Sequence, residues 1–172
     1  MKTYAGFMQR AGAFALDYVI ILIYLAAITL LMWLLNSLFS INDWLFADRV
    51  QAQFVAFLLV TLPVTLYFAM SESSNQQATW GKKRMRLQVG GYNGERISFW
   101  RSFARTLLKF IPWELSHTLI WEISFSSQTD SVLIYYGFVY LVAGLNIASL
   151  LLTKNHQTIY DLLTKTYVVK QT

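Results

Sequence analysis

The chain alternates long apolar runs with short polar connections, and those runs set the predicted elements. Across residues 13–35 the only ionisable group besides two tyrosines is Asp17. Its inner part, residues 18–35, carries no charge and is close to the ~20 residues an α-helix needs to cross hydrocarbon. The run exceeds the ~7–15-residue core of a secretory signal, and no small-residue cleavage site follows it. It therefore reads as an uncleaved spanning helix over about 11–37 rather than as a leader or a buried soluble helix. A second uncharged run predicts a helix over about 51–71, with Thr61, Pro63 and Thr65 near its middle. Proline removes a helical hydrogen bond, but in a membrane neighbouring helices and threonine hydroxyls can cover the freed carbonyl. The trio reads either as a kinked packing segment or as opened backbone along a polar path. A third run, interrupted by Asn146, predicts the last span over about 131–153. Small residues four apart, Ala11/Ala15 and Gly144/Ala148, allow close helix approach within the bundle or across a homodimer seam.

The stretch over about 98–123 is mixed in character. Arg101, Ser102, Arg105 and Lys109 share one helical face, opposite Phe99, Trp100, Phe103, Ala104, Leu107 and Leu108. Such a basic amphipathic helix suits a headgroup layer. Pro112 bends or breaks it, and the continuation carries Glu114, His117 and Glu122.

Charge then orients the chain. Its 172 residues include 14 Lys/Arg against 9 Asp/Glu, are 56% hydrophobic and 13% charged, and contain no cysteine. A soluble domain carries about 25% charged residues, so disorder and an ordinary soluble enzyme are excluded. Without cysteine there is no disulfide, thiolate nucleophile or Cys-ligated metal. Segment charges are +2 for 1–10, −1 for 36–53, +7 for 80–110, −1 for 124–131 and +2 from Thr153 onward. Lysine and arginine stay on the cytoplasmic side, which puts both termini and the 80–110 region inside. Two cytoplasmic ends need an even number of crossings. The expected architecture is a single all-α membrane domain over 1–172, a four-helix transmembrane bundle whose third helix is short, polar and bent; three crossings with an outward tail is the alternative. Tyr92-Asn93-Gly94-Glu95 lies between apolar Leu87, Val89 and Ile97, and Asn-Gly is a strong hairpin signal. It predicts a small cytoplasmic β-hairpin over about 85–97, to which Tyr167-Val168-Val169 can add a third strand.

An aspartate at the membrane centre costs roughly 2.5–3.5 kcal/mol, less near the interface, so Asp17 requires a partner or a polar cavity. Arg10 lies two turns earlier on the same face, about 10 Å away along the axis. That is too far for an intrahelical pair and suited to a shared cluster.

Four blocks, in order, resemble a known family. Met8-Gln9-Arg10-Ala11-Gly12-Ala13-Phe14-Ala15-Leu16-Asp17 resembles the opening motif of the RDD family of small bacterial membrane proteins, named for one Arg and two Asp. Glu72-Ser73-Ser74-Asn75-Gln76-Gln77-Ala78-Thr79-Trp80-Gly81-Lys82 resembles its central motif. Gly94-Glu95-Arg96-Ile97-Ser98-Phe99 with Arg105 resembles the stretch after it, and Tyr160-Asp161-Leu162-Leu163 its closing motif. The resemblance covers nearly the whole chain and implies Arg10, Asp17 and Asp161 as the naming residues, a multi-pass inner-membrane location, and the sodium/proton exchange or transport linked to a few members. A eukaryotic relative is linked to endoplasmic-reticulum protein degradation. Tyr160 stands where many members have histidine, so a titrating imidazole is missing there. Under the expected topology Arg10, Asp17, Glu72, Lys82, Arg105 and Asp161 converge on the cytoplasmic interface. Arg10 is expected to meet Asp17, Asp161 or both, clasping the tail to the first helix.

Catalytic patterns are sparse. Gly90-Gly91 and Gly94 suit a turn better than a phosphate loop. Glu114-Leu115-Ser116-His117 has the Glu-x-x-His spacing of di-iron bundles, but those need a second copy and further Glu; it reads as decoration of a polar face. No enzyme, metal or cofactor is expected. The +7 segment suits anionic phospholipid headgroups, at about 1 kcal/mol per basic residue, rather than nucleic acid. Trp80, Trp100, Trp113 and Trp121 suit an interfacial belt. Two functions stand: a small transporter or cation/proton exchanger, working as a homodimer and using Asp17, Glu72 and Thr61/Thr65 beside Pro63; or a non-catalytic accessory or assembly protein that stabilises a membrane protein partner.

Overall fold

The three uncharged runs form helices long and apolar enough to cross a bilayer, Phe7–Phe39, Arg49–Ser73 and Ile134–Leu152. The computed structural model describes residues 3–125 and 130–171. In chain order its elements are α1 (Phe7–Phe39), α2 (Asn42–Leu45), α3 (Arg49–Ala56), a π-helical segment (Phe57–Thr61), α4 (Leu62–Ser73), α5 (Trp80–Arg84), β1 (Leu87–Gly91), α6 (Phe99–Phe125), α7 (Asp130–Leu152), α8 (Ile159–Leu163) and β2 (Thr166–Lys170). Lys2 and residues 126–129 of the expected 124–131 connection lie outside the described residues. Helix α1 starts four residues before the expected 11–37 helix does, where the Gly6 N–H donates to Gln9 Oε1 at 3.2 Å and so loses its need for water.

The molecule is apolar outside and polar inside. Only 6% of the most apolar window of α1, and of the last span, is buried. Leu22, Ile23, Leu30 and Trp33 of α1 and Ile134, Phe138 and Leu141 of α7 are exposed. Meanwhile Asp17, Glu72, Arg105 and Asp161 are at most 2% exposed. In water such a surface would be one large sticky patch; in lipid it is the face that needs no partner.

Pro63 lacks the N–H that would bond the Leu59 carbonyl. The helix widens into its π segment just before this point, and the Tyr24 hydroxyl of α1 donates to Leu59 O at 2.5 Å. A side chain from the neighbouring helix thus replaces the missing backbone donor. Helix α6 runs 27 residues and continues through Pro112. It lies antiparallel to Arg49–Ser73 from end to end. Arg49 pairs with Glu122, Gln53 Nε2 donates to Thr118 Oγ1 at 2.7 Å, Thr61 Oγ1 donates to Glu114 Oε2 at 2.7 Å, and Phe68 packs edge-on against Phe110. Arg105 meets Glu72 at the far end. Contacts along both halves join α6 to this neighbour on either side of Pro112.

The expected 85–97 hairpin is corrected. The Asn93-Gly94 turn forms, with Gly94 at φ 85° and its N–H donating to Gly91 O at 2.9 Å. The returning arm pairs no strand. The free edge of β1 is already taken at Val89, whose N–H donates to Gln77 O and whose carbonyl accepts from Gln77 Nε2. The strand expected third is instead the only partner of β1 among the described residues: β1 pairs antiparallel with β2, from Leu87↔Lys170 to Gly91↔Thr166. Tyr4 bridges Val169 on the other edge of β2, and Ala5 N donates to Val168 O at 2.9 Å. Ala5, Ala13, Leu87, Val89, Ile97 and Val168 form the small apolar core beneath this ribbon. Both described chain ends therefore lie together at one end of the bundle.

Tyr24→Phe should cost about 1 kcal/mol, the penalty for an uncovered buried carbonyl. In a Pro63→Ala background, where residue 63 again supplies an N–H, the same substitution should cost nearly nothing. A double-mutant cycle by reversible denaturation in mixed micelles checks this; equal costs in both backgrounds would refute it.

Candidate functional site

The carboxylates and cations at this end form one chain, Lys82–Glu72–Arg105–Asp161–Arg10. Glu72, in the last turn of α4, is held by Lys82 Nζ on one oxygen and by Arg105 Nη1 on the other, at 2.5 Å. Arg105, one residue past the first turn and a half of α6, also donates from Nε and Nη2 to Asp161 Oδ1 at 2.9 and 2.7 Å. A planar guanidinium fork presents donors to two carboxylates in this fixed geometry, which the point charge of an ammonium does not reproduce. Asp161 is aimed by α8, whose start is a capping box: Thr158 and Asp161 each accept the other's backbone N–H. Its second oxygen accepts from Arg10 Nη1 at 2.5 Å. Arg10 directs its remaining donors to the tail and its own entry, reaching His156 O at 2.5 Å and Ala5 O at 3.0 Å. The clasp between the first helix and the tail is thus built on Arg10 and Asp161.

Burial alone would push the Asp161 carboxyl up, but Arg105 and Arg10 beside it hold it well below the usual carboxylate range. Burial pushes the Lys82 ammonium down, against the pull of Glu72. Tyr160 lies under the Arg105 guanidinium, 5.1 Å from ring centroid to Cζ, and burial followed by the Asp161 charge pushes its hydroxyl up. Next to Asp161 this chain thus has a group that stays protonated and supplies an aromatic face.

Of the two carboxylates expected for Arg10, Asp161 takes it and Asp17 does not. The Asp17 oxygens accept from Thr79 Oγ1 at 2.5 Å, Gly81 N at 2.7 Å and the Tyr67 hydroxyl at 2.9 Å. Seven residues of helix keep Arg10 near the tail, while the 79–81 turn drops directly onto Asp17. Gly81 permits that approach, since a Cβ there would stand 2.1 Å from Ala13 O. Arg101, read from sequence only as part of a basic face, pins the Thr164 and Lys165 carbonyls after α8; its position one turn before Arg105 was the available signal.

The two threonines of the expected polar path are buried, and Pro63 sits between them in sequence. Thr61 is the middle residue of Arg49–Ser73, and its hydroxyl bonds Glu114. Beside it Thr65 Oγ1, in a residue 1% exposed, has no hydrogen-bond partner, nor does His117 Nδ1, which stands 3.8 Å from Glu114 Oε2. A cavity of about 240 Å³ opens beside Thr61, Thr65 and Glu114. Glu114, set aside from sequence as decoration, is therefore held halfway along a span.

The ion chain generates two expected outcomes. Arg105→Ala strands two buried carboxylates and should cost about 3–5 kcal/mol, with Arg105→Lys recovering part of it, read from unfolding in detergent. Asp161 is more acidic folded than unfolded, so its contribution is full above the ordinary carboxylate range and disappears as pH falls through the folded value. Wild-type stability should therefore drop on acidification more steeply than that of Asp161→Asn, which starts lower.

The profile of the RDD family matches residues 4–165, a stretch containing every member of the ion chain. No curated protein and no solved structure matches the chain. With the match covering nearly its whole length, and with Arg10 and Asp161 joined and Asp17 anchoring the central motif through Thr79 and Gly81, the chain belongs to the RDD family.

Proposed function

We propose that this protein is a four-crossing protein of the bacterial inner membrane, both termini cytoplasmic, that moves protons or small cations along the interface of α4 and α6. Supporting four crossings, α6 matches a 25-residue apolar helix from Arg49–Glu122 to Glu72–Arg105, and both chain ends join one ribbon, which requires an even number. Supporting the orientation, the +7 segment lies at that same end. There exposed Lys83, Arg84 and Arg86 meet anionic headgroups.

The observation that carries transport is Glu114. An ionisable side chain at mid-membrane depth is costly and normally serves a path. Here it is held by one threonine hydroxyl, beside a second threonine oxygen and an imidazole nitrogen that have no partner of their own. Protonation or a bound cation would give these atoms something to share. The cavity beside Glu114 opens sideways, and a second copy of the chain would cover it. The reading assigns no catalytic residue, cofactor or metal. A second reading, the non-catalytic accessory protein, is favoured by the ion chain itself, whose members are so fully buried and mutually paired that they act as a clasp.

The test is proton flux in liposomes containing the purified protein, driven by sodium or potassium gradients. Glu114→Gln should reduce flux at least about tenfold, a loss of some 1.4 kcal/mol in barrier terms, while Lys83→Gln should not. Flux that ignores Glu114→Gln would overturn the path. Wild-type liposomes no leakier than empty ones would favour the accessory reading.

A further inference from the structure

A second cavity, of about 290 Å³, shares no lining residue with the one beside Glu114. Arg10, Lys82, Arg105 and Lys109 reach it from α1, α5 and α6, and Asn146, Ile147 and Leu150 from α7. Three of these cations pair with Glu72 and Asp161. With Asp17 included, four cations face three carboxylates, so the lining carries one excess positive charge. Among the described residues Lys109 has no ion pair and no hydrogen bond; its Nζ rests 3.6 Å from the Phe68 ring centroid and 5.0 and 5.1 Å from those of Phe14 and Phe110. Cation–π contact stabilises an ammonium by about 0.5–2 kcal/mol and leaves its charge uncancelled. Asn146 of α7 also lines the cavity, and its Oδ1 is buried and has no partner.

We propose that this cavity binds one anionic phospholipid, its phosphate at Lys109, a headgroup or glycerol hydroxyl at Asn146 Oδ1, and an acyl chain between α1 and α7. A monoanion supplies the missing charge through a charge-assisted hydrogen bond. The rest of the wall is apolar, and Phe14 and Ile147, which line it, are still 39% and 44% exposed, so it opens on the lipid-facing surface. A free phosphate would leave those walls uncovered; a lipid brings its own chain for them. The site differs from attraction of the exposed basic residues to headgroups, because it holds one molecule and selects it by a single lysine. It does not depend on the transport reading.

The test uses the purified full chain in a neutral detergent, with phosphatidylglycerol, phosphatidylcholine or inorganic phosphate added, read by native mass spectrometry and thermal midpoint. One phosphatidylglycerol should be retained per chain and raise the midpoint, while phosphatidylcholine and inorganic phosphate do neither. Lys109→Gln should weaken that binding about tenfold or more, equivalent to about 1.4 kcal/mol, and Lys109→Arg should restore it. Ile147→Trp, which fills the cavity and leaves Lys109 intact, should also block it, so the proposal stays testable if Lys109→Gln folds poorly. Lys154→Gln on the exposed surface should bind as wild type does. Equal retention of the two lipids, an equal shift with inorganic phosphate, or wild-type binding by Ile147→Trp would each overturn it.

Discussion

One guanidinium sets the arrangement of the end of the bundle that carries both termini. Arg105 is fully enclosed and stands between two enclosed carboxylates, Glu72 at the end of one span and Asp161 on a five-residue helix near the end of the chain. None of the three can lose its neighbours without leaving a charge in a poorly solvated place, a penalty larger than most single contacts in a protein. The consequence propagates. Fixing Asp161 fixes α8; Thr166, which touches both Asp161 and Arg105, starts β2; and β2 carries β1 on one edge and the beginning of the chain on the other. Arg10 closes the loop from the first helix.

That construction suits a membrane protein for a physical reason. Between helices in lipid there is no hydrophobic gain to win, since chains of lipid are as apolar as leucine; polar contacts and close fit have to hold the bundle. The fold places them accordingly. Asp17 receives three donors, the Leu59 carbonyl takes a tyrosine hydroxyl, and α6 is joined to its neighbour by a polar or charged contact at several levels from end to end. The apolar side chains, which would form the core in water, face outward.

The spans were legible because the membrane signal is one of length and missing charge, which a single sequence displays directly. The ion cluster was legible too, since six charged side chains could converge only where the spans end. Their pairings were not. Helical spacing says that Arg10 and Asp17 share a face, but not that a turn sixty residues later would supply Asp17 with Thr79 and Gly81. The Asn93-Gly94 signal was sound for the turn and silent about the arm beyond it. Whether a returning arm pairs depends on the edge it meets, and Gln77 already held that edge. The spacing of Glu114 to His117 raised a question about metals and said nothing of its place opposite Thr61. That place became visible only once α6 lay in register with Arg49–Ser73.

Register also puts two weaknesses side by side. The π segment ends at Thr61, just ahead of Pro63, and Pro112 lies two residues before Glu114. On both helices the backbone ladder is therefore interrupted near the level where Thr61 and Glu114 meet, about 14 Å along α6 from Arg105. A helix pinned at its ends by Glu72–Arg105 and Arg49–Glu122 lacks a backbone hydrogen bond near its middle, at Pro112. Changing the charge on Glu114 acts at that point, where one hydrogen bond crosses between two softened segments and the neighbouring Thr65 oxygen is free to take part. Rigid ends and a compliant, ionisable centre are what a small bundle needs if it is to pass a charge without coming apart.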